Sequence, residues 1–211
     1  MTAKSEIAHI LLKLKAVFLR PDEPFTWASG IKSPIYCDNR LILSYPEERS
    51  IVENALAEQV KTLYPDCAGV MGTSTAGIPH AALIAERLAL PMGYVRSSAK
   101  THGRNNQIEG RVSQGQKVVV IEDLISTGES VLECVRALRD AGASVLGIVS
   151  IFTYGMKKSA DNFNAEHVEN HSLCDLDTLA DAAVSEGYIK PEDKARLLKF
   201  RDNPSDEGWR K

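Results

Sequence analysis

The stretch KVVVIEDLISTGES, residues 117–130, restricts the fold more than any other part of the chain. Val118, Val119, Val120 and Ile121 form a continuous apolar, β-branched run, suited to a strand buried on both faces. Similar short runs stand at CAGVMG (67–72), PMGYVR (91–96) and SVLGIVSIF (144–152), with helical spacing between them. Buried strands alternating with helices predict βαβ units, hence an α/β fold with a central parallel sheet flanked by helices. In such sheets ligands bind beyond the carboxyl ends of the strands. The pattern places three segments there: Gly72 to Gly77, Arg96 to Gly110, and Glu122 to Ser130.

The helices follow from apolar spacing. Ile7, Ile10, Leu11, Leu14 and Phe18 predict an amphipathic helix over residues 5–19, ended by Pro21 and Pro24. FTWASGIKSPIYCDNR (25–40) is turn-rich, with a short strand expected near Ile35 to Asp38. Helices are expected at 46–64, with Pro46 in the first turn, at 78–88 and at 128–141, with Gly142 as a left-handed cap. The strand before that last helix is expected to span 117–122. The C-terminal region reads as a short strand at 171–173 and helices at 176–186 and 191–201. Residues 97–116, SSAKTHGRNNQIEGRVSQGQ, are polar, carry three glycines and offer few apolar anchors. A long irregular segment of that kind reads as a functional lid or a disordered loop.

Composition narrows the function. The chain has 211 residues, 44% hydrophobic and 25% charged, with a net charge of -3. That balance argues against broad nucleic-acid or anionic-membrane binding. No apolar stretch reaches the roughly 18 to 20 residues of a membrane span. Lys13 and Lys15 interrupt the N-terminal apolar run, so it does not read as a signal peptide. Cys37, Cys67, Cys134 and Cys174 are widely spaced and form no Cys-x-x-Cys pair, so reduced thiols and a cytoplasmic location are expected.

The strand ends carry the chemistry. A helix beginning near Gly128 offers free backbone N–H groups and a partial positive charge. Thr127 and Ser130 add hydroxyls, and Gly128 lets the backbone come close, which suits a phosphate monoester. Glu122 and Asp123 would repel phosphate but suit vicinal hydroxyls or a hydrated Mg²⁺, so a sugar phosphate with a metal satisfies both ends. Neither a Walker loop nor a Gly-x-Gly-x-x-Gly turn is present. Gly72-Thr73-Ser74-Thr75-Ala76-Gly77 is a second small-residue turn able to hold an anion. Arg96, Lys100, His102, Arg104 and Arg111 form a local basic cluster on and beside the lid. Cations over two anion turns point to a ligand with phosphate at one end and pyrophosphate at the other.

VVVIEDLISTGES resembles the phosphoribosyl pyrophosphate (PRPP) signature of the type I phosphoribosyltransferases. FTWASGIKSPIYCDNR, GTSTAGIPHAALIAERLALPMGYVR, KTHGRNNQIEG and SIFTYG are similar to stretches of the orotate phosphoribosyltransferase family within that class. The resemblance implies a type I phosphoribosyltransferase fold, with a hood over the carboxyl ends of the strands. It divides the chain into an N-terminal helix and hood segment (1–45), a core (46–165) with its lid (97–116), and a C-terminal strand and helical tail (166–211). It also implies transfer of phosphoribose from PRPP to orotate, giving orotidine monophosphate and pyrophosphate in pyrimidine (UMP) synthesis. Mg²⁺ would travel on PRPP, and the enzyme would be a homodimer whose lid closes over the partner's site.

By position, Thr127, Gly128, Glu129 and Ser130 would hold the 5-phosphate, and Glu122 and Asp123 the ribose hydroxyls, within a PRPP signature that includes Leu124, Ile125 and Ser126. Gly72, Thr73 and Ser74 would form the pyrophosphate turn, with Arg96 binding pyrophosphate. Lys100 and His102 would act from the lid, with Asp123 the third catalytic candidate. Ser126, Tyr36 and Arg40 would serve orotate. Some relatives carry a further lysine where this chain has Ser97, Ser98 and Ala99, so Arg104 is a candidate to replace that contact. Competing readings are a transferase for a purine or uracil and a regulator that has lost catalysis. FTWASGIKSPIY and KTHG speak against the first. The presence of Lys100 and His102, with the acidic net charge, speaks against the second.

Overall fold

The first amphipathic stretch folds as α1 (Ala3–Lys13), capped by the Thr2 hydroxyl, which accepts the Ser5 N–H, in a computed structural model that describes residues 2–27, 30–96 and 107–210. The helix ends six residues before the predicted position 19. Lys15 turns the backbone left-handed, with φ 54°. The chain then runs on as β1 (Val17–Leu19), while Leu14, Ala16 and Val17 stay buried. The apolar residues at 14 to 18 fit either period, and strand pairing decides between them.

β2 (Phe25–Thr26) and β3 (Lys32–Ser33) pair as a short antiparallel hairpin. β4 (Ile35–Cys37) pairs antiparallel with β1, with Phe18 opposite Tyr36. A 3-10 helix over Asn39–Ser44 leads into α2 (Pro46–Leu63), which has its proline in the first turn. The core then alternates as expected: β5 (Val70–Thr73), α3 (Gly77–Leu88), β6 (Met92–Val95), β7 (Ile108–Glu109), β8 (Lys117–Ile125), α4 (Glu129–Asp140), β9 (Ser144–Thr153), α5 (Lys157–Ala165), β10 (Asn170–Asp175), α6 (Leu176–Ser185) and α7 (Pro191–Asp202).

One six-stranded sheet has the order β10-β9-β8-β5-β6-β7. All its pairings are parallel except β6 with β7. Along β8 the side chains alternate between faces. Val119 and Ile121 join the core under α1, α2, α3 and α6, with Leu11, Leu56, Ile84 and Leu179. Val118 and Val120 join the opposite core under α4, with Leu132, Val135 and Phe163. Between α2 and α3 a polar pair is entombed: His80 Nδ1 lies 2.5 Å from Glu53 Oε1, and both side chains are fully buried.

Two spans differ from expectation in ways that bear on the site. β8 runs to Ile125 rather than 122, because Leu124 and Ile125 continue the ladder opposite Phe152 and Thr153 of β9. The second half of the predicted lid is anchored: Ile108 is buried and pairs with Val95, and Gln107 O accepts the Arg96 N–H at 2.9 Å. Residues 97–106, with Lys100, His102 and Arg104, lie outside the described residues.

The C-terminal strand reaches beyond the expected 171–173 and forms an edge of the sheet. α1 packs across it and α6, where Lys4 Nζ meets Asp175 Oδ2 at 2.7 Å. The Arg196 guanidinium on α7 donates to Pro21 O at 2.6 Å and to Asp22 at 2.7 Å. The four cysteines are free thiols. No described helix is long and apolar enough to cross a membrane.

Candidate functional site

The two small-residue turns expected to hold anions stand side by side because β5 and β8 are neighbours in the sheet, with Gly72 opposite Ile121. At the first turn α3 begins at once after Thr73-Ser74-Thr75-Ala76. This requires α3 to sit almost on the strands. A methyl at Gly72 would lie 2.9 Å from Ile78 Cα, and one at Gly77 would press on the Ile121 carbonyl. No side chain caps α3. The Ser74–Thr75 peptide is cis.

Thr73, Ser74, Arg96, Gln107 and Ser130 line a cleft of about 260 Å³ that also reaches Glu133 and Arg136 of α4. Ser74 Oγ and Arg96 Nη1 are buried and have no hydrogen-bond partner among the described residues. Arg96 Nη1 approaches Glu109 Oε1 only to 3.8 Å. Buried donors left without partners are costly, and these two meet at a cleft suited to phosphate oxygens.

The second turn is built around Gly128, which takes φ 79° and stands before α4 without a side-chain cap. A left-handed turn admits glycine at little cost. Space demands it too, since a Cβ there would meet the Phe163 ring at 2.7 Å. Asn162 Nδ2 donates to Thr127 O at 2.9 Å, so α5 braces the turn from behind. Thr127, Glu129 and Ser130 are exposed, and Ser126 is half-buried, with its hydroxyl 4.0 Å from Met156 Sδ. Asn162 and Phe163 were not singled out from sequence. Their role follows from the return of α5 to the turn, which local spacing does not encode.

The two carboxylates differ. Asp123 is partly exposed, and Glu122 is buried, with Oε1 accepting the Asp123 N–H at 2.9 Å. Burial, reinforced by the neighbouring Asp123 charge, pushes the Glu122 carboxyl from 4.5 up to about 8. Between those values the folded state holds a proton that the unfolded chain releases. Stability is therefore full below the lower value and falls as pH rises through the upper one. Glu122→Gln is expected to raise Tm relative to the parent, with the difference growing from pH 5 to pH 8.5. Equal differences at both pH values in thermal melts would reject this account.

Of the base-side candidates, Tyr36 is 41% exposed and stacks at a tilt on Phe25, with ring centroids 5.5 Å apart. Arg40 is exposed and held by both oxygens of Asp38, at 2.6 and 2.7 Å. Its guanidinium is thus already paired within its own turn. Leu124 is half-buried and Ile125 buried, so they contribute to the signature as strand residues. Trp27 also stands on the hood side, 6.0 Å from the Tyr154 ring and edge-on to Phe200.

The phosphoribosyl transferase domain family matches residues 46–178. An orotate phosphoribosyltransferase of Bacillus pumilus is 56% identical over 206 residues, covering 98% of this chain and 97% of that protein. The orotate phosphoribosyltransferase of Bacillus subtilis is 55% identical over 98% of this chain and 95% of its own. Among solved structures, orotate phosphoribosyltransferase from Aeropyrum pernix superposes with a TM-score of 0.75 at 30% identity, over 87% of this chain and 99% of that one.

Proposed function

The chain belongs to the phosphoribosyltransferase family and, within it, to the orotate phosphoribosyltransferases, and from that membership we propose how its residues divide the transfer. The reaction joins the ribose C1 of PRPP to N1 of orotate and releases pyrophosphate, giving orotidine monophosphate. The turn from Thr127 to Ser130 takes the 5-phosphate, on the start of α4, which has no side-chain cap. Glu122 and Asp123 face the ribose hydroxyls, and Asp123, being the partly exposed one, makes the direct contact. Gly72, Thr73, Ser74 and Arg96 take the pyrophosphate. The single observation that carries this division is the pair of buried donors, Ser74 Oγ and Arg96 Nη1, that make no hydrogen bond among the described residues and line that cleft.

Mg²⁺ fits this donor set as a companion of the substrate: the partly exposed Asp123 carboxylate would help hold it, and it would neutralise charge on the diphosphate. Negative charge grows on the departing pyrophosphate as the C1–O bond breaks. Donors already aimed there stabilise that charge more in the transition state than in the ground state. Ser126 and Tyr36, with Arg40 on the same segment as Tyr36, serve the orotate side.

The decisive assay is incubation with PRPP, Mg²⁺ and orotate, following the loss of orotate absorbance. Uracil, adenine and xanthine are run in parallel. Consumption of another base, with orotate untouched, would overturn the assignment.

The reading extends to a cytoplasmic homodimer in which Lys100 and His102, on the lid, close over the partner's site. Lys100→Ala is then expected to lower kcat more than PRPP affinity, since its cation acts as leaving-group charge develops. Mixed with Asp123→Asn chains, it should regain activity. Each mixed dimer has one site with an intact lid and an intact Asp123, and one with both defects. Verified heterodimers as inactive as the two parents would place the lid over its own chain.

A further inference from the structure

Asp123 is held in an unusual way for a residue inside a strand. Its neighbours Glu122 and Leu124 pair across the sheet with Ser150 and Phe152. Its own N–H donates to the Glu122 carboxylate at 2.9 Å. Its carbonyl oxygen accepts the side-chain amide of Asn39 at 2.7 Å, from a residue 84 positions earlier in the chain. Asn39 is fully buried, and its Oδ1 accepts the Cys37 thiol at 3.2 Å. A carbonyl can only accept, so the amide nitrogen must face Asp123 and the amide oxygen must face Cys37. The Asp123 carbonyl thus sets the orientation of the Asn39 amide, and the Cys37 thiol, donating to Oδ1, fits the same orientation.

We propose that Asn39 is a positioning residue: its buried amide fixes the peptide of Asp123, so that the hood segment sets the aim of the ribose-side carboxylate. The proposal rests on the assignment of Asp123 to ribose given above. Asn39 opens the 3-10 helix that follows β4, three residues beyond Tyr36. Asp38 turns outward to grip Arg40, and Asn39 turns inward. One short segment therefore carries the base-side candidates on one face and a brace for the donor site on the other. A carboxylate on a partly exposed strand residue keeps a fixed direction only if its backbone is fixed, and groups locked by buried hydrogen bonds supply that. The signature of such a brace is specific: a substitution in the hood produces a defect on the donor side.

The test is two-substrate kinetics on Asn39→Leu, which has the same branching and is unable to hydrogen-bond, with calorimetric titration of PRPP and Mg²⁺ in the absence of orotate. Misaiming a contact by about an ångström costs on the order of a hundredfold, so kcat/KM for PRPP should fall about tenfold to a hundredfold while KM for orotate moves less than about threefold. PRPP affinity should fall in the titration. Asn39→Ser keeps a donor too short to reach the carbonyl and should show the same split, which preserves the test if the leucine variant fails to fold. Unchanged PRPP constants in a folded variant with a lower Tm would overturn the proposal, leaving Asn39 a packing residue. A rise confined to KM for orotate would also overturn it. Because the titration needs no orotate, failure of the brace is distinguishable from failure of the orotate assignment, which would show as a wild-type chain inert toward orotate.

Discussion

Gly77→Val is expected to eliminate measurable transferase activity and to lower Tm. A Cβ at position 77 falls against the Ile121 carbonyl and 2.5 Å from Thr73 Oγ1. Neither obstacle can step aside. One is main chain in the middle of the sheet, and the other is a hydroxyl that donates to that same carbonyl, in the turn proposed to take pyrophosphate. α3 must lift, carrying Ser74 with it. Overpacking of this kind costs about 1–3 kcal/mol, and for a chain near 200 residues each kcal/mol lowers Tm by about 2–4 °C. Activity suffers more than stability, because the turn moves relative to Arg96 and Asp123 and contacts of this kind lose about a hundredfold per ångström. Steady-state kinetics and a thermal melt check both parts. A Gly77→Val protein with parental kcat/KM would show that the close approach of α3 does not shape the site.

Glu53→Ala is expected to destabilise the chain by about 2–5 kcal/mol, since it leaves the buried His80 Nδ1 without its partner and opens a void between α2 and α3. His80 Nε2 and Glu53 Oε2 already lack hydrogen-bond partners among the described residues, so no nearby group stands ready to compensate. The double variant Glu53→Leu/His80→Leu removes both polar groups and fills the space. It should be less destabilised than Glu53→Ala alone, because replacing both members of a buried pair is far milder than orphaning one. Urea unfolding of the single and double variants decides the matter. Additive losses would mean that the two side chains do not act as a pair.

The core strands were legible because burial on both faces writes a continuous apolar run, as in Val118 to Ile121, or one broken by a single small residue, as by Ser150 in Ile148 to Phe152. The turns at 72–77 and 126–130 were legible because small, hydroxyl-bearing residues stand between an apolar run and a helical one. What remained hidden depends on segments distant in sequence meeting in space. Asn162 behind Thr127, Phe163 against Gly128 and Asn39 on the Asp123 carbonyl are each separated from their partners by tens of residues. The end of α1 was misplaced because Leu14 and Phe18 keep helical spacing while the pairing of β1 with β4 takes the chain out of the helix. β8 was read too short because two acids suggested a strand end. Glu122 is instead accommodated inside the sheet, where burial favours its protonated form.

The interlock of the two ends of the chain sets an order of assembly during synthesis on the ribosome. α1 packs mainly on β10 and α6, and Pro21 and Asp22 find Arg196 only once α7 exists. The first helix therefore leaves the exit tunnel more than 160 residues before its final neighbours do. Through most of translation Ile7, Leu11 and Leu14, buried in the finished fold, lack their cover from β10 and α6. The sheet from β5 to β9 can gather in chain order meanwhile, but pairings so distant in sequence form slowly, and exposed apolar surface invites association with other chains. A nascent chain halted before residue 176 should hold a folded central sheet with a protease-sensitive N-terminus, and release of the finished polypeptide should close that site.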